Sequence, residues 1–481
     1  MSEPKKKKLF ELDFKPLLIG FLVLFALMVI VYVLTFVLQP GEFDRVLVDG
    51  QETIVEGSFH AVEGGIPFWR FIASPILVLG DGPNGGMIVL ICLFLIIIGG
   101  TFTALDEYGV LGYALGLTYS KFKDKKYRLL WITTLFIMLL GAVAGTFEEI
   151  TPLIPLGVAL AYTLGWDAMV GLGMTFLAVG CGFASGVFNF FNVGMAQTIA
   201  GIPLFSGLSM RILTLVLVYF VTMFFLHRYA KKIEADPTKS IVYDAERSAY
   251  WKSVGVSFDR DARKSKALLW FALLMALMVL TIIVASFIPV LQDFVLVFVV
   301  VEFFAAGTVA VLVAGMKFKH YAKTFISGAL SILPIMVFIL MANAVRFILT
   351  DAKVLDTVLY EMIGLTSGVP SLVVLFIIYL LVLIMELFIP GSTLKAFLLI
   401  PLIVPIALAN NISAQQSVLA FAFGDGFSNM FYPTNSGVLI CLGMAGVSFG
   451  KWFRWTALYQ VILLIVTLGV LTLAFATGYG F

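Results

Sequence analysis

Along most of this chain apolar residues neither alternate with polar ones nor recur at the three-to-four spacing of a half-buried helix. They run on unbroken for about 20 residues at a time, the length a helix needs to cross about 30 Å of hydrocarbon. Such runs cover residues 16–37, 168–200, 208–226, 268–288, 294–314, 322–347, 416–447 and 458–476, with paired shorter arms at 129–166 and 372–410. Two runs are interrupted by glycine-rich polar stretches, Gly182-Phe-Ala-Ser-Gly-Val-Phe-Asn-Phe-Phe-Asn192 and Gly424-Asp-Gly-Phe-Ser-Asn-Met-Phe-Tyr-Pro-Thr-Asn435. Aligned without gaps, Phe183, Gly186, Asn189 and Phe191 fall on Phe423, Gly426, Asn429 and Phe431. Polar, non-helical backbone at membrane depth survives only where protein buries it or where it lines a watery cavity. A duplicated interruption therefore predicts a cavity at the interface of two repeats, the arrangement of secondary transporters. One segment follows another period: Val46-Leu-Val-Asp-Gly-Gln-Glu-Thr-Ile-Val55 alternates around Asp49-Gly50 and predicts a β-hairpin.

Composition fixes the solvent. With 61% hydrophobic and 12% charged residues and a mean hydropathy of +1.06, the chain has too much apolar surface for a water-soluble globule. The runs lack the alternation of a barrel strand, so the class is an all-α polytopic membrane protein. Lys5 to Lys8 precede an apolar run of full spanning length without a small-residue cleavage site, so 16–37 is read as a retained helix rather than a leader. Three cysteines, Cys92, Cys181 and Cys441, lie in apolar stretches without metal-like spacing, so neither zinc nor a disulfide is expected. A net charge of +2 gives no reason to expect nucleic acid. No phosphate-binding glycine-lysine loop, histidine cluster or nucleophile set is present, which argues against an ATP-driven pump and against an intramembrane enzyme. An acidic cation channel is the nearer rival class.

Basic segments set the expected orientation. Residues 5–8, 121–128, 227–266, 317–323 and 451–454 are placed in the cytoplasm, and the acidic segment 41–65 outside. These placements agree only if 129–166 and 372–410 enter and leave on one side as re-entrant hairpins, the first opening inward and the second outward. Matching units of opposite orientation form an inverted repeat. The expected layout is an N-terminal scaffold part at 1–128 with an external loop at 40–84. The first repeat's transport part spans 129–228, with its hairpin at 129–166 and broken helix at 168–200. A cytoplasmic loop at 229–266 leads to a second scaffold part at 267–349. The second transport part spans 350–481, with its hairpin at 372–410 and broken helix at 416–447. The N-terminus falls in the cytoplasm and the C-terminus outside.

Ionisable groups inside spans cost about 2.5 to 3.5 kcal/mol each on insertion scales and are functional candidates by default. The hairpin tips carry Glu148, Glu149, Glu386 and Lys395, and the second break carries Asp425. Four of these five are acidic, which favours a cation over a dianion. The breaks add Asn189, Asn192, Asn429, Thr434 and Asn435, with Ser392 and Thr393 as hydroxyl ligands at the second tip. Half-helix starts offer N–H groups to a carboxylate, and freed carbonyls suit an ammonium or Na⁺. Together they fit a zwitterion, with Glu148 or Glu149, Asp425 and Glu386 on the cationic part and Asn189 and Asn429 on the α-amino and carboxylate ends. Gly424 and Gly426 place Asp425 in unwound backbone. Glu107, Glu302 and Arg346 are read as structural, as a helix-end group, a paired group and a snorkelling group.

At these same residues the chain resembles the YfcC-type carriers, a branch of the four-carbon dicarboxylate anaerobic carrier group in the ion transporter superfamily. The likeness rests on Glu148-Glu149 followed by Pro152, the stretch from Phe188 to Gln197, Gly391-Ser-Thr-Leu-Lys-Ala396, and Phe423-Gly-Asp-Gly-Phe-Ser-Asn429 with Pro433-Thr434. Where the family pattern often has Asn-Pro-Phe-Thr and Gly-Ser-Gly, this chain has Asn189-Phe-Phe-Asn192 and Gly391-Ser-Thr393. The resemblance implies a scaffold plus a mobile transport domain, a homodimer in a prokaryotic plasma membrane, and an elevator-type shift. It implies no cofactor, with exchange or coupling to Na⁺ or H⁺, the Na⁺ near the hairpin tips. It also implies a substrate of one of two kinds, a basic amino acid of the arginine/ornithine type or a dicarboxylate, and the local acidity favours the first.

Overall fold

The computed structural model describes residues 14–48, 51–55, 57–244, 261–286, 288–292, 294–366, 368–389 and 391–480. Nine helices among these residues are long and apolar enough to cross a membrane. They differ in what surrounds them. Only 22% of the most apolar stretch of Ala262–Ala285 is buried by protein and 28% of that in Leu208–Ala235, whereas all of that in Ala168–Ile199 is buried. An interrupted helix cannot face lipid, because its freed N–H and C=O groups would find no partner there. The enclosure of its apolar stretch follows from that rule.

The helices pack in two groups. In one, Phe14–Val37, Gly82–Glu107, Val295–Val313 and Phe318–Asp351 pack together, and Ala262–Ser286 lies along Val295–Val313. In the other, Lys126–Ala144, the two interrupted helices and the pair Ser371–Met385 and Ser392–Ala409 pack together, backed by Leu208–Ala235 and Phe449–Ala476. The groups meet where Phe318–Asp351 lies against Ser436–Ala445 and where the tip Glu148–Leu153 touches Val295–Val313.

Salt links at the helix ends are peripheral. Arg346 pairs with Asp81, Arg70 with Asp351 at 2.6 Å, and Glu107 accepts from Thr324 at 3.0 Å and faces His320. Glu302 accepts from Thr281 at 2.8 Å across two helices of the first group. The strands Arg45–Val48 and Gln51–Ile54 pair antiparallel, with Val48 opposite Gln51, so the alternating segment is a hairpin; its Asp49-Gly50 turn lies outside the described residues. Its segment is anchored by Arg45, whose Nη2 reaches both carboxylate oxygens of Asp356 at 2.8 and 2.7 Å. Of the segment 229–266 expected as a loop, residues up to 235 continue the helix Leu208–Ala235 and those from 262 begin Ala262–Ser286, while 245–260 lie outside the described residues.

Glycine sets how closely the second group packs. A Cβ on Gly182 would overlap the carbonyl of Met138, and one on Gly426 would overlap Ala184. At Gly424 the added atom would lie 2.8 Å from the Tyr379 carbonyl. Small residues let backbones approach where lipid supplies no hydrophobic drive between helices. Each interrupted helix thus lies tight against the first arm of its own hairpin, and the two cross at Gly426 and Ala184.

Candidate substrate site

The first hairpin arm, Lys126–Ala144, ends at Gly145, whose φ of +67° is the left-handed geometry that closes helices cheaply when no Cβ is present. The chain then runs through Thr146 and Phe147 into a 3₁₀ turn, Glu148–Leu153, and the short helix Ile154–Thr163 with Pro155 in its first turn. Both tip carboxylates are half-buried. Glu149 accepts the Phe147 N–H at 2.9 Å, and the Glu148 carbonyl accepts the Thr151 hydroxyl. Among the described residues neither carboxylate has a basic partner. Thr146, Glu149 and Ile150 face Met278, Val279 and Ile282 of the first group across a narrow crevice.

The first interrupted helix runs Ala168–Leu172, a π-helical turn Gly173–Leu177, and Ala178–Ser185. It stops at Gly186, in left-handed geometry with φ of +56°, and resumes at Phe190. Asn189 caps the restart: its Oδ1 accepts the Asn192 N–H at 3.2 Å, and its Nδ2 donates to the Phe183 carbonyl at 3.1 Å. Asn192 is fully buried and donates to the Ala422 carbonyl at 3.2 Å, across to the other interrupted helix.

The second interruption differs from the sequence expectation. Ala414–Ser428 is helical through Gly424, Asp425 and Gly426, and the break spans residues 429–435. The two glycines serve close packing rather than unwinding, so Asp425 projects from an intact helix. Asn435 caps the restart, Ser436–Ala445, by accepting the Gly437 N–H at 2.9 Å, and its Nδ2 donates to Asn429 Oδ1 at 2.7 Å. By position in the gapless alignment Asn189 matches Asn429; by role in the fold it matches Asn435. Both polar atoms of the Asn189 side chain bond backbone, whereas Asn435 caps with its oxygen and turns its amide nitrogen to the Asn429 and Glu386 side chains.

At the second tip Lys395, Glu386 and Asp425 are all fully buried. The Lys395 ammonium bridges the two carboxylates, donating to Glu386 Oε2 and, at 2.6 Å, to Asp425 Oδ1. Ser392 donates to Asp425 Oδ2 at 2.6 Å, and Asn435 approaches Glu386 Oε1 at 3.4 Å. Thr393 beside them is half-buried. Glu386 and Asp425 were expected to face a substrate cation; here the chain's own ammonium holds them.

The tips cross between halves. Glu148–Leu153 packs on Ser436–Ala445, with Phe147 against Gly437, and Ser392–Ala409 packs on Phe190–Gly194 and Met195–Ile199. Glu148 lies within electrostatic reach of Asp425, so the two acidic tips share one neighbourhood. Three polar atoms there, Thr146 Oγ1, Asn192 Oδ1 and Thr434 Oγ1, are buried without a hydrogen-bond partner in the structure. Leaving such a group unpaired costs about 1–3 kcal/mol.

Two groups escaped the reading of the sequence. Arg211, 2% exposed, donates to the carbonyls of Gly186 at 3.1 Å, Phe205 at 2.8 Å and Gly207 at 3.4 Å, and to Ser206. Its signal was an arginine four residues past Gly207, at the start of an apolar run. Thr146, next to the tip glycine, lacked any distinguishing spacing.

A multi-pass helical bundle with two enclosed helix breaks and polar tips meeting inside it defines a membrane carrier, not an enzyme. Comparison with known proteins gives the particular group. The chain belongs to the DcuC family, described as C4-dicarboxylate anaerobic carrier, whose model matches residues 17–476. Among curated relatives, YfcC of Escherichia coli (strain K12), a protein whose name proposes basic amino acid antiport, is 28% identical over 84% of this chain and 81% of its own. An uncharacterized protein of Haemophilus influenzae is 25% identical over 86% of this chain and 77% of its own. Among solved structures, the YdaH transporter of Alcanivorax borkumensis aligns at TM-score 0.45 and 16% identity over 96% of this chain and 99% of that one. MtrF of Neisseria gonorrhoeae, presented with a class of antimetabolite efflux pumps, aligns at TM-score 0.44 and 16% identity over 94% of each chain.

Proposed function

We propose that this carrier is a secondary transporter exchanging a basic amino acid of the arginine/ornithine type across a prokaryotic plasma membrane. The observation that carries the reading is the charge balance of the site. Glu148, Glu149, Glu386 and Asp425 share the site with one ammonium, that of Lys395, which bridges Glu386 and Asp425, so four acidic side chains stand against one basic one and three formal negative charges are in excess. The other buried cation, Arg211, spends its donors on four backbone carbonyls. Among the described residues of the site a dicarboxylate would meet no uncommitted cation, whereas a cationic side chain would meet Glu148 and Glu149. The unpaired oxygens of Asn192, Thr434 and Thr146 are acceptors for ammonium protons, and the hydroxyls can also donate to a carboxylate. The name of the Escherichia coli relative agrees with this choice; the family's description keeps a dicarboxylate as the second reading.

The reciprocal packing of each tip on the other half's restarted helix supports two inverted repeats. On that reading the group containing both interrupted helices is the transport part, and it slides as an elevator past the group containing Phe318–Asp351, in a homodimer. The part boundaries and the cytoplasmic N-terminus and external C-terminus are those expected above. Counterflow by purified protein in liposomes tests the substrate: loaded ornithine drives uptake of labelled arginine, and loaded succinate does not. Succinate-driven uptake of labelled fumarate, with no arginine uptake, favours the dicarboxylate reading instead.

A further inference from the structure

We infer that the Glu386–Asp425 carboxylate pair is a monovalent-cation site that this chain fills permanently with the Lys395 ammonium, a tethered counter-ion in place of a dissolved one. The inference deepens the transporter reading by stating how one charge of the site is balanced. Two fully buried carboxylates on separate helices, Glu386 after Ser371–Met385 and Asp425 within Ala414–Ser428, cannot both stay ionised in a low-dielectric interior without a cation between them. Their oxygens converge on one point, and what occupies it is Nζ of Lys395, itself fully buried.

The surroundings hold the two carboxylates in position around that cation. Each carboxylate also has a neutral neighbour on its other oxygen, Ser392 Oγ on Asp425 Oδ2 and Asn435 Nδ2 beside Glu386 Oε1. The remaining volume is sealed, because all three charged side chains have no exposure. Lys395 lies in the first turn of Ser392–Ala409, and Glu386 and Asp425 belong to the same packed group. The ammonium therefore travels with the carboxylates through any movement of that group and neither binds nor leaves during a cycle. A dissolved cation at this point would add a coupling step; a tethered one removes it. The first tip has no such residue. Glu148 and Glu149 have no basic partner among the described residues, so the exchangeable cation belongs there.

The test measures the site itself, so it stands even if the amino acid assignment fails. Thermal unfolding of detergent-purified protein is compared in choline chloride, NaCl and ethylammonium chloride at equal ionic strength, for the native chain, Lys395→Ala and Lys395→Arg. Removing the ammonium opens a site for one dissolved cation, which stabilises by mass action. We expect Na⁺ or ethylammonium to raise the midpoint of Lys395→Ala by about 2 °C or more beyond any rise in the native chain, with Lys395→Arg behaving as native. An equal response of native and Lys395→Ala proteins, or none in either, overturns the inference. Should Lys395→Ala not fold, Lys395→Ala with Glu386→Gln keeps one carboxylate and one cation vacancy and is read by the same criterion. Failure of that double variant to accumulate even with ethylammonium or NaCl in the growth and purification buffers also counts against it.

Discussion

Each hairpin tip brings a pair of carboxylates inside the bundle, and the two pairs are treated in opposite ways. At the second tip Glu386 and Asp425 are sealed from solvent and locked on Lys395. At the first, Glu148 and Glu149 are half-buried, have no basic partner among the described residues, and Glu149 borders a crevice against the other helix group. A closed ion pair contributes fold and position. An open carboxylate pair retains a net charge that a ligand can meet. On the proposed reading the first tip binds and the second is architecture, and each substitution below is chosen to separate them.

The largest effect on stability should come from the closed tip. Lys395→Ala strands two buried carboxylates and should cost about 3–5 kcal/mol, read as a fall in the thermal midpoint in choline buffer. Replacing the whole triad by Lys395→Met, Glu386→Gln and Asp425→Asn should recover most of that loss, because no buried charge is left unpaired. At the open tip the order reverses. Glu149→Gln should leave the midpoint within about 1 kcal/mol of native while arginine counterflow falls about 100-fold, the loss of one charge-assisted hydrogen bond of the stronger kind. A Glu149→Gln protein that exchanges arginine normally breaks the comparison at its base.

Smaller effects sharpen it. Asn435→Ala removes a helix cap and a neighbour of Glu386, and should cost about 1 kcal/mol of stability. Asn189→Ala should cost a similar amount, since both residues close the restart of an interrupted helix. Thr434→Val is the cleanest probe of an unpaired group. Deleting a buried hydroxyl without a partner should leave stability unchanged or slightly raised, while the KM for exchange rises about 10-fold if the substrate supplies the missing bond. A Thr434→Val protein with native KM would take that hydroxyl out of the pocket.

How much of this could be read from the residues depended on the range of the interaction. The spans, the β-hairpin from Val46 to Val55 and the positions of both interruptions follow from hydropathy, alternation and glycine content, all local in sequence. Asp425 shows where local reading misleads. A Gly-Asp-Gly triplet looks like a turn in water, but against a neighbouring helix the same glycines permit contact, and Ala184 and Tyr379 occupy the space their side chains would need. The Lys395 triad joins residues separated by 9 and 30 positions on three chain segments, so only the fold reveals that the ammonium cancels charges that the sequence alone counted as available. Arg211 illustrates the reverse: a buried cation whose partners are backbone carbonyls has no acidic side chain to pair with it in the sequence, and only its place at the start of an apolar run marks it. The equivalence of Asn189 with Asn435 rather than Asn429 follows from the second break being longer than the first, which a gapless alignment cannot express.

Equilibrium binding of labelled arginine to the purified protein, with the native chain and Glu149→Gln measured side by side and succinate as competitor, bears most directly on the open tip as the binding half. The account predicts saturable arginine binding to the native chain, its loss in Glu149→Gln, and no displacement by succinate. Arginine binding that survives in Glu149→Gln, or a native site that takes succinate and ignores arginine, would contradict it.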